Sequence, residues 1–249
     1  IQGRKPAIYQ PQYNRRGLLV RETLTVENRV TGVMDDTEAI VNIEYDAKVQ
    51  RQKIEYGNNT VTNYLYDPST FRLLNLTTTQ TQTNKNLQNL NYSYDPVGNI
   101  TEIHDSAQQD VFFNNSQITP DNKYEYDALY RLVKATGREH AAQNNVQRDN
   151  TRFNPGPNIP FPNSPEALQR YTETYQYDSV GNILNMTHGS GQGTQWEFRW
   201  KRFYQYALDS NHLLATSKAG DNTSNIEHYA ESANANLSVP YLYDTHGSM

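Results

Sequence analysis

The chain has 249 residues and a net charge of −5, and tyrosine supplies 19 of its relatively few hydrophobic side chains. Too little Leu, Ile and Val is present for a thick two-layer core, while abundant aromatics at modest net charge exclude simple disorder. With no cysteine there is no disulfide or thiolate metal site, no apolar run reaches the roughly 18 residues of a membrane span, and the acidity argues against a nucleic-acid partner.

In chain order, Ile1-Gln2-Gly3-Arg4 opens without a signal peptide and reads as a cut inside a longer protein. Tyr13-Asn14-Arg15-Arg16-Gly17 is a turn, Leu18 to Glu27 alternates as a strand, and Ile40 to Tyr45 is its successor. Asp35-Asp36 is expected in the loop between them, as a solvated turn rather than half of a cation site. Hairpins then begin at Tyr45-Asp46, Tyr66-Asp67 and Tyr94-Asp95. Between the first two, Gly57-Asn58-Asn59 signals a short turn. The tract from Thr77 to Asn91 reads equally as a polar strand or as a loop.

The fullest copy of the repeating unit is Tyr92-Ser93-Tyr94-Asp95-Pro96-Val97-Gly98-Asn99-Ile100. Two tyrosines one residue apart share a strand face. The aspartate accepts a hydrogen bond from the backbone two residues on, Pro96 fixes its own φ, and Gly98 supplies a positive φ. Ile100-Thr101-Glu102-Ile103 restarts as a strand. Each copy is therefore a β-hairpin, with tyrosines over one face of a thin sheet and Thr, Asn and Gln over the other. Tyr126-Asp127-Ala128-Leu129-Tyr130-Arg131-Leu132 is a variant of it.

Arg138-Glu139-His140 reads as a solvated strand end rather than a polar network. Residues 141–169 hold five of the eleven prolines and are expected to leave the sheet as an inserted loop. Glu166 to Arg170 is expected to add one helical turn after Ser164-Pro165. The repeat resumes with Tyr177-Asp178-Ser179-Val180-Gly181-Asn182-Ile183. Alternation then puts Trp196, Phe198 and Trp200 on one face, with Glu197, Arg199 and Lys201 on the other. Trp196 and Trp200 are candidates for stacking a sugar or a base, although aromatics packed inward are the simpler reading. A degraded copy runs Tyr206-Ala207-Leu208-Asp209, and the last begins at Tyr243-Asp244 and stops at its turn, as in a partial chain. Seven such turns at related positions are a tandem repeat.

The chemistry is sparse. The six histidines lie far apart without metal-ligand spacing. No nucleophile elbow or phosphate loop is present. The repeat aspartates are already explained as turn formers. No catalytic, cofactor-binding or metal-binding residue is expected.

The recurring Tyr-Asp-x-x-Gly-Asn-Ile resembles the YD repeat of RHS-repeat proteins across nearly the whole chain. A more specific succession starts from the Tyr94 and Tyr126 copies. It runs on through Ala107-Gln108-Gln109, Phe112-Phe113-Asn114-Asn115, Ala135-Thr136-Gly137-Arg138-Glu139-His140 and Asn211-His212-Leu213-Leu214-Ala215-Thr216-Ser217. That order is similar to the B component of bacterial insecticidal toxin complexes. The resemblance implies an all-β fold of tandem antiparallel hairpins forming a curved ribbon, an arc of a hollow shell. It implies one partial repeat region over 1–249 with no second domain. It further implies a secreted toxin, assembled in the producing cell before release, whose shell encloses a C-terminal toxic segment and hands it to a translocation pore. Its partners would be the rest of the shell, that segment and the pore component. The family's self-cleaving signature is absent, so no catalytic residue carries over. Lys48-Val49-Gln50, Ala207 and Ser248 depart from the repeat's pattern. The rival expectations are a YD-repeat adhesion or carbohydrate-binding module and a glycoside-active enzyme.

Overall fold

The computed structural model describes residues 7–28, 30–141, 163–191, 196–218, 221–233 and 236–248. Among these residues the regular structure is β-strand, with no α-helix. The chain divides into two compact units, Ile1–Tyr94 with Ile103–Gln108, and Asp95–Glu102 with Gln109–Met249.

The first unit contains β1 (Ile8–Tyr13), β2 (Leu19–Glu27), β3 (Met34–Tyr45), β4 (Arg51–Tyr56), β5 (Thr60–Tyr66), β6 (Leu73–Gln80) and β7 (Lys85–Tyr94). They hydrogen-bond in chain order, each antiparallel to the next. The division between units falls inside β8 (Ile100–Asp105). The second unit holds a separate two-stranded hairpin, β9 (Val111–Phe113) and β10 (Ser116–Ile118). Its sheet is β11 (Asp121–Tyr126), β12 (Leu132–His140), β13 (Leu168–Tyr177), β14 (Ile183–Ser190), β15 (Glu197–Ala207) and β16 (Leu213–Thr216). Two short strands, β17 (Tyr229–Ala230) and β18 (Val239–Pro240), pair with β15 and β16. Neither unit closes into a barrel. Because consecutive strands are antiparallel, all Tyr-Asp turns within a unit lie at one end of its strands. The strand ends that flank the other connections, among them 28–33, 81–84 and 141–167, lie at the opposite end.

The turns share one geometry. The residue after the repeat tyrosine donates its N–H to the carbonyl four residues on: Asp46 to Gln50 (2.9 Å), Asp95 to Asn99 (3.0 Å), Asp127 to Arg131 (2.9 Å), Asp178 to Asn182 (3.0 Å) and Asp244 to Ser248 (3.0 Å). The aspartate Oδ1 accepts N–H groups inside the turn, as Asp178 does from Val180, Gly181 and Asn182. The fourth turn residue has positive φ, and this holds for Val49 (71°) and Tyr130 (62°) as well as for Gly98 and Gly181. Asn14 plays the aspartate's part in the first turn. The Asp67 turn is one residue longer, with Phe71 at φ 61°. In the degraded copy Ala207 takes the aspartate's place and donates to His212 O (2.9 Å).

Beside the repeat tyrosines the strand register slips by one residue, for instance between Glu44 and Tyr45 and between Gln176 and Tyr177. A bulge of this kind re-aims a side chain. The tyrosines use it to reach back one repeat. Tyr45 Oη donates to Leu19 O (2.8 Å), Tyr94 to Leu73 O (2.7 Å) and Tyr126 to Ile100 O (2.8 Å). Tyr177 donates to Leu132 O (2.7 Å), Tyr206 to Ile183 O (2.9 Å) and Tyr243 to Leu213 O (3.2 Å). Each acceptor is the residue that restarts the strand after the preceding turn.

The cores are thin. In the first unit they centre on Ile43 and Ile54 with Thr60 and Thr62. In the second, Ile118, Ala135, Ala215 and Leu237 share the interior with Asn185, His188, Ser190, Gln205 and Thr216. The tract from Thr77 to Asn91 lies mostly in β6 and β7, joined by a turn at 81–84 and by cross-strand side-chain bonds such as Thr77 Oγ1 to Asn89 Oδ1 (3.1 Å).

Three local expectations fail. Asp35 and Asp36 are strand residues of β3, where Thr25 on the neighbouring β2 and Asn28 just beyond its end donate to their carboxylates. Glu166 to Arg170 forms no helical turn: a turn at Ser164–Ala167 leads straight into β13, where His140 pairs with Leu168. The inserted loop thus ends before Leu168 rather than at 169, and most of its prolines lie outside the described residues. Finally, Trp196, Phe198 and Trp200 do not share a face. Arg199 is a bulge between Trp200, opposite His188, and Phe198, opposite Gly189.

Candidate functional site

Among the described residues, a buried group of ionisable side chains lies in the second unit, on three adjacent strands. His188 on β14 is buried, and its two ring nitrogens each face a carboxylate: Nδ1 is 3.1 Å from Glu173 Oε1 on β13 and Nε2 is 3.1 Å from Glu139 Oε2 on β12. The ring is sandwiched between Trp200 (centroids 4.9 Å apart, planes 2° apart) and Tyr171 (5.5 Å, 21°). Glu139 also accepts from Gln169 Nε2 (3.0 Å), and Glu173 from Tyr175 Oη (2.7 Å). Gly137 makes room for the group, since a Cβ there would lie 2.7 Å from the Tyr171 ring.

The electrostatics follow from this packing. Burial pushes the His188 ring toward neutrality, but hydrogen bonds to Glu139 and Glu173, with their charges, outweigh it and lift the ring to about 9. Burial pushes Glu173 up, yet its bonds from His188 and Tyr175 hold it below the usual carboxylate range. Tyr171 is pushed up to about 12, mainly by burial and then by Glu173, and Tyr175 is raised as well. At neutral pH His188 is a cation donating from both nitrogens. It has no lone pair for a general base to use. The arrangement is an ionic clamp across three strands.

Beside the clamp a cleft of about 600 Å³ lies under the β9–β10 hairpin. The hairpin turns through Asn114 and Asn115, both with positive φ, the requirement of a two-residue turn. Phe113, Ser116 and Ile118 face the cleft, while Phe112 is 74% exposed on the outer side. The floor carries Arg170, Ser190 and Arg199. Arg170 is committed to Thr119 and to the Asp121 carbonyl and carboxylate.

Sequence reasoning reached this region only in part. The solvated strand end expected at Arg138-Glu139-His140 is instead a network: Glu139 joins the clamp, and His140 Nε2 lies 2.9 Å from Ser164 O. His188 gives no local signal, because its partners come from strands that the sequence does not pair by spacing. Of the two tryptophans, Trp200 has one ring face on His188, whereas Trp196 is 42% exposed and lies across Gly189, where a Cβ would strike its ring. The repeat-turn residues Tyr45, Asp46, Tyr66, Asp67, Tyr94, Asp95, Gly98, Tyr126, Asp127, Tyr177, Asp178, Gly181, Tyr243 and Asp244 stand at strand ends and turns, away from the clamp.

No protein-family model matches the chain. It is 38% identical over 152 residues to toxin subunit YenC2 of Yersinia entomophaga and 35% identical over 156 residues to toxin subunit YenC1 of the same organism. Those matches cover 59% and 61% of this chain but only 15% of each relative. Among solved structures, a Tc holotoxin pore of Photorhabdus luminescens matches 97% of this chain and 11% of its own (TM-score 0.66, 28% identity). A crystal structure of TcdB2-TccC3 with Cdc42 matches 83% of this chain and 9% of its own (TM-score 0.61, 31% identity). With the Tyr-Asp turns, the all-β fold and these likenesses in hand, the chain is an RHS/YD-repeat segment of the toxin-complex type.

Proposed function

We propose that this chain is a section of wall in an RHS-repeat shell that encloses a C-terminal toxic effector of its parent protein. The observation that carries the reading is the reach of the repeat tyrosines. Tyr45, Tyr94, Tyr126, Tyr177, Tyr206 and Tyr243 each spend the hydroxyl on the preceding repeat, so these repeats are tied to one another rather than gathered round a large core of their own. On this reading residues 1–249 form one repeat region, the wall turns over no substrate, and the assembly is completed in the producing cell and secreted. Its partners are the rest of the shell, the enclosed segment and the pore component of a toxin complex. The likeness to a Tc holotoxin pore supports that last partner. The test is protease protection of the full-length parent, with its C-terminal segment followed by mass spectrometry with and without mild denaturant. Survival of that segment until the repeats unfold supports the wall; immediate digestion while the repeats persist refutes it.

A second reading, an adhesion or carbohydrate-binding module, draws on the exposed aromatic pair Trp196 and Phe198 (42% and 53% exposed). A glycan-array signal abolished by Trp196→Ala would favour it. Binding that survives the substitution, or no binding at all, would count against it.

A further inference from the structure

We propose that the cleft under the β9–β10 hairpin is a binding site for a short, extended, acidic peptide segment, with Arg199 receiving its carboxylate. The inference is independent of the container reading, since it concerns the chemistry of the cleft and not which side of a wall it faces.

The cleft runs against the charge of the chain. The protein carries −5 overall, yet the described lining residues contribute two guanidinium groups, Arg170, which pairs with Asp121 outside the lining, and Arg199, with one carboxylate, Glu197. The two arginines are held differently. Arg170 is fixed by Thr119 and Asp121 and shapes the wall. The bulge in β15 turns Arg199 onto the Ser190 side, where its Nε donates to the buried Ser190 hydroxyl. This grip takes the guanidinium's Nε and not its two terminal nitrogens. One of them, Nη2, lies 2.8 Å from Glu197 Oε2. The Glu197 side chain is 66% exposed and that of Arg199 only 21%, so Glu197 meets a mostly covered guanidinium from the solvent side, and another carboxylate arriving from solvent can take its place. Glu197 thus occupies the place that a ligand carboxylate would take end-on.

The rest of the lining argues for a peptide over a small anion. Ser116 and Asn114 on the roof are neutral donors and acceptors suited to backbone amides, and Phe113, Ile118 and Leu168 supply apolar surface for side-chain stems. A free phosphate would be better served by several converging cations or N–H groups. The volume of about 600 Å³ falls within the range of ordinary ligand sites.

The test uses the 249-residue chain and a fluorescein-labelled hexapeptide of alternating aspartate and alanine, read by fluorescence anisotropy. The same peptide with asparagine for aspartate is the neutral probe, and inorganic phosphate is the competitor. Saturable binding of the acidic peptide alone is expected, weakened about tenfold by Arg199→Gln and strengthened several-fold by Glu197→Gln. Equimolar phosphate should leave it unchanged. No saturable binding, or equal binding by Arg199→Gln with an unaltered circular dichroism melt, overturns the proposal. Displacement by equimolar phosphate overturns it too, in favour of a simple anion site. Should Arg199→Gln lose its cooperative melt, Glu197→Gln decides alone. That exposed substitution keeps the fold, and an affinity no higher than that of the unaltered chain refutes the site.

Discussion

Val49 is held at φ 71° in a place where other repeats carry glycine. For a β-branched residue the left-handed region is strained by roughly 1–2 kcal/mol, and Val49 is exposed enough to recover little of that through packing. Val49→Gly is therefore expected to stabilise the chain by about 1 kcal/mol, a rise of roughly 2–4 °C in a thermal melt; a fall in Tm would show that the valine's contacts matter more than its backbone. The turn aspartates set a second residue-scale behaviour. Burial pushes Asp178 up, but bonds from Tyr229, Asn182 and turn N–H groups outweigh it and hold it at about 2. Asp67, Asp95 and Asp127 are also lowered, by hydrogen bonds within their turns. A carboxyl whose folded value lies below its unfolded value stabilises the fold above the unfolded value. That contribution is lost as pH falls through the folded one. Stability should hold above about pH 4 and drop steeply toward pH 2, with Asp178→Asn shallower in the same acid titration.

At the scale of the element, the hairpin is a turn plus a latch. The turn was legible because its signals are local: Asp, Gly and Asn within five residues, with Tyr-x-Tyr before them. The latch was not, because the acceptor of each tyrosine belongs to the preceding repeat and the bulge that aims the ring leaves no mark in composition. The alternation of Trp196, Phe198 and Trp200 misled for the same reason, since one extra residue in β15 moves Trp200 to the other face. Tyr126→Phe keeps the ring and removes the bond to Ile100 O. It should cost about 1 kcal/mol and open the Asp127 turn to faster amide exchange. Unchanged exchange at that turn would mean the hydroxyl contributes nothing to the repeat.

At the scale of the whole molecule, the chain has little apolar core to spare, and one charged group stands in for some of it. The clamp gathers Glu139, Glu173 and His188 from three strands, two of them separated by the 141–167 connection, so no window of sequence contains it. A histidine whose folded value lies above its unfolded one stabilises the fold fully below about pH 6.5. It loses that contribution as pH rises through about 9. The groups facing it do not mask the effect: Tyr171 and Tyr175 are both raised and stay protonated there. Melting temperature should fall by about several degrees between pH 7 and 10, and His188→Gln should flatten that slope. An equally steep alkaline fall in His188→Gln would place its cause elsewhere.

The placement of the connections has an evolutionary corollary. One margin of each unit is stitched by turns of nearly fixed length, while along the other the connections range, across the two units, from the three residues at 57–59 to the stretch between His140 and Leu168. Chain spliced into that permissive margin has only to return to a neighbouring strand, and each doubling of its length costs only about 0.6 kcal/mol. A ten-residue Gly-Ser insert between Gln82 and Thr83 should leave the melt nearly unchanged. The same insert between Val97 and Gly98 should abolish a repeat. Such a protein can acquire new loops, epitopes or reporters along one border while its pattern of repeats is copied unaltered along the other.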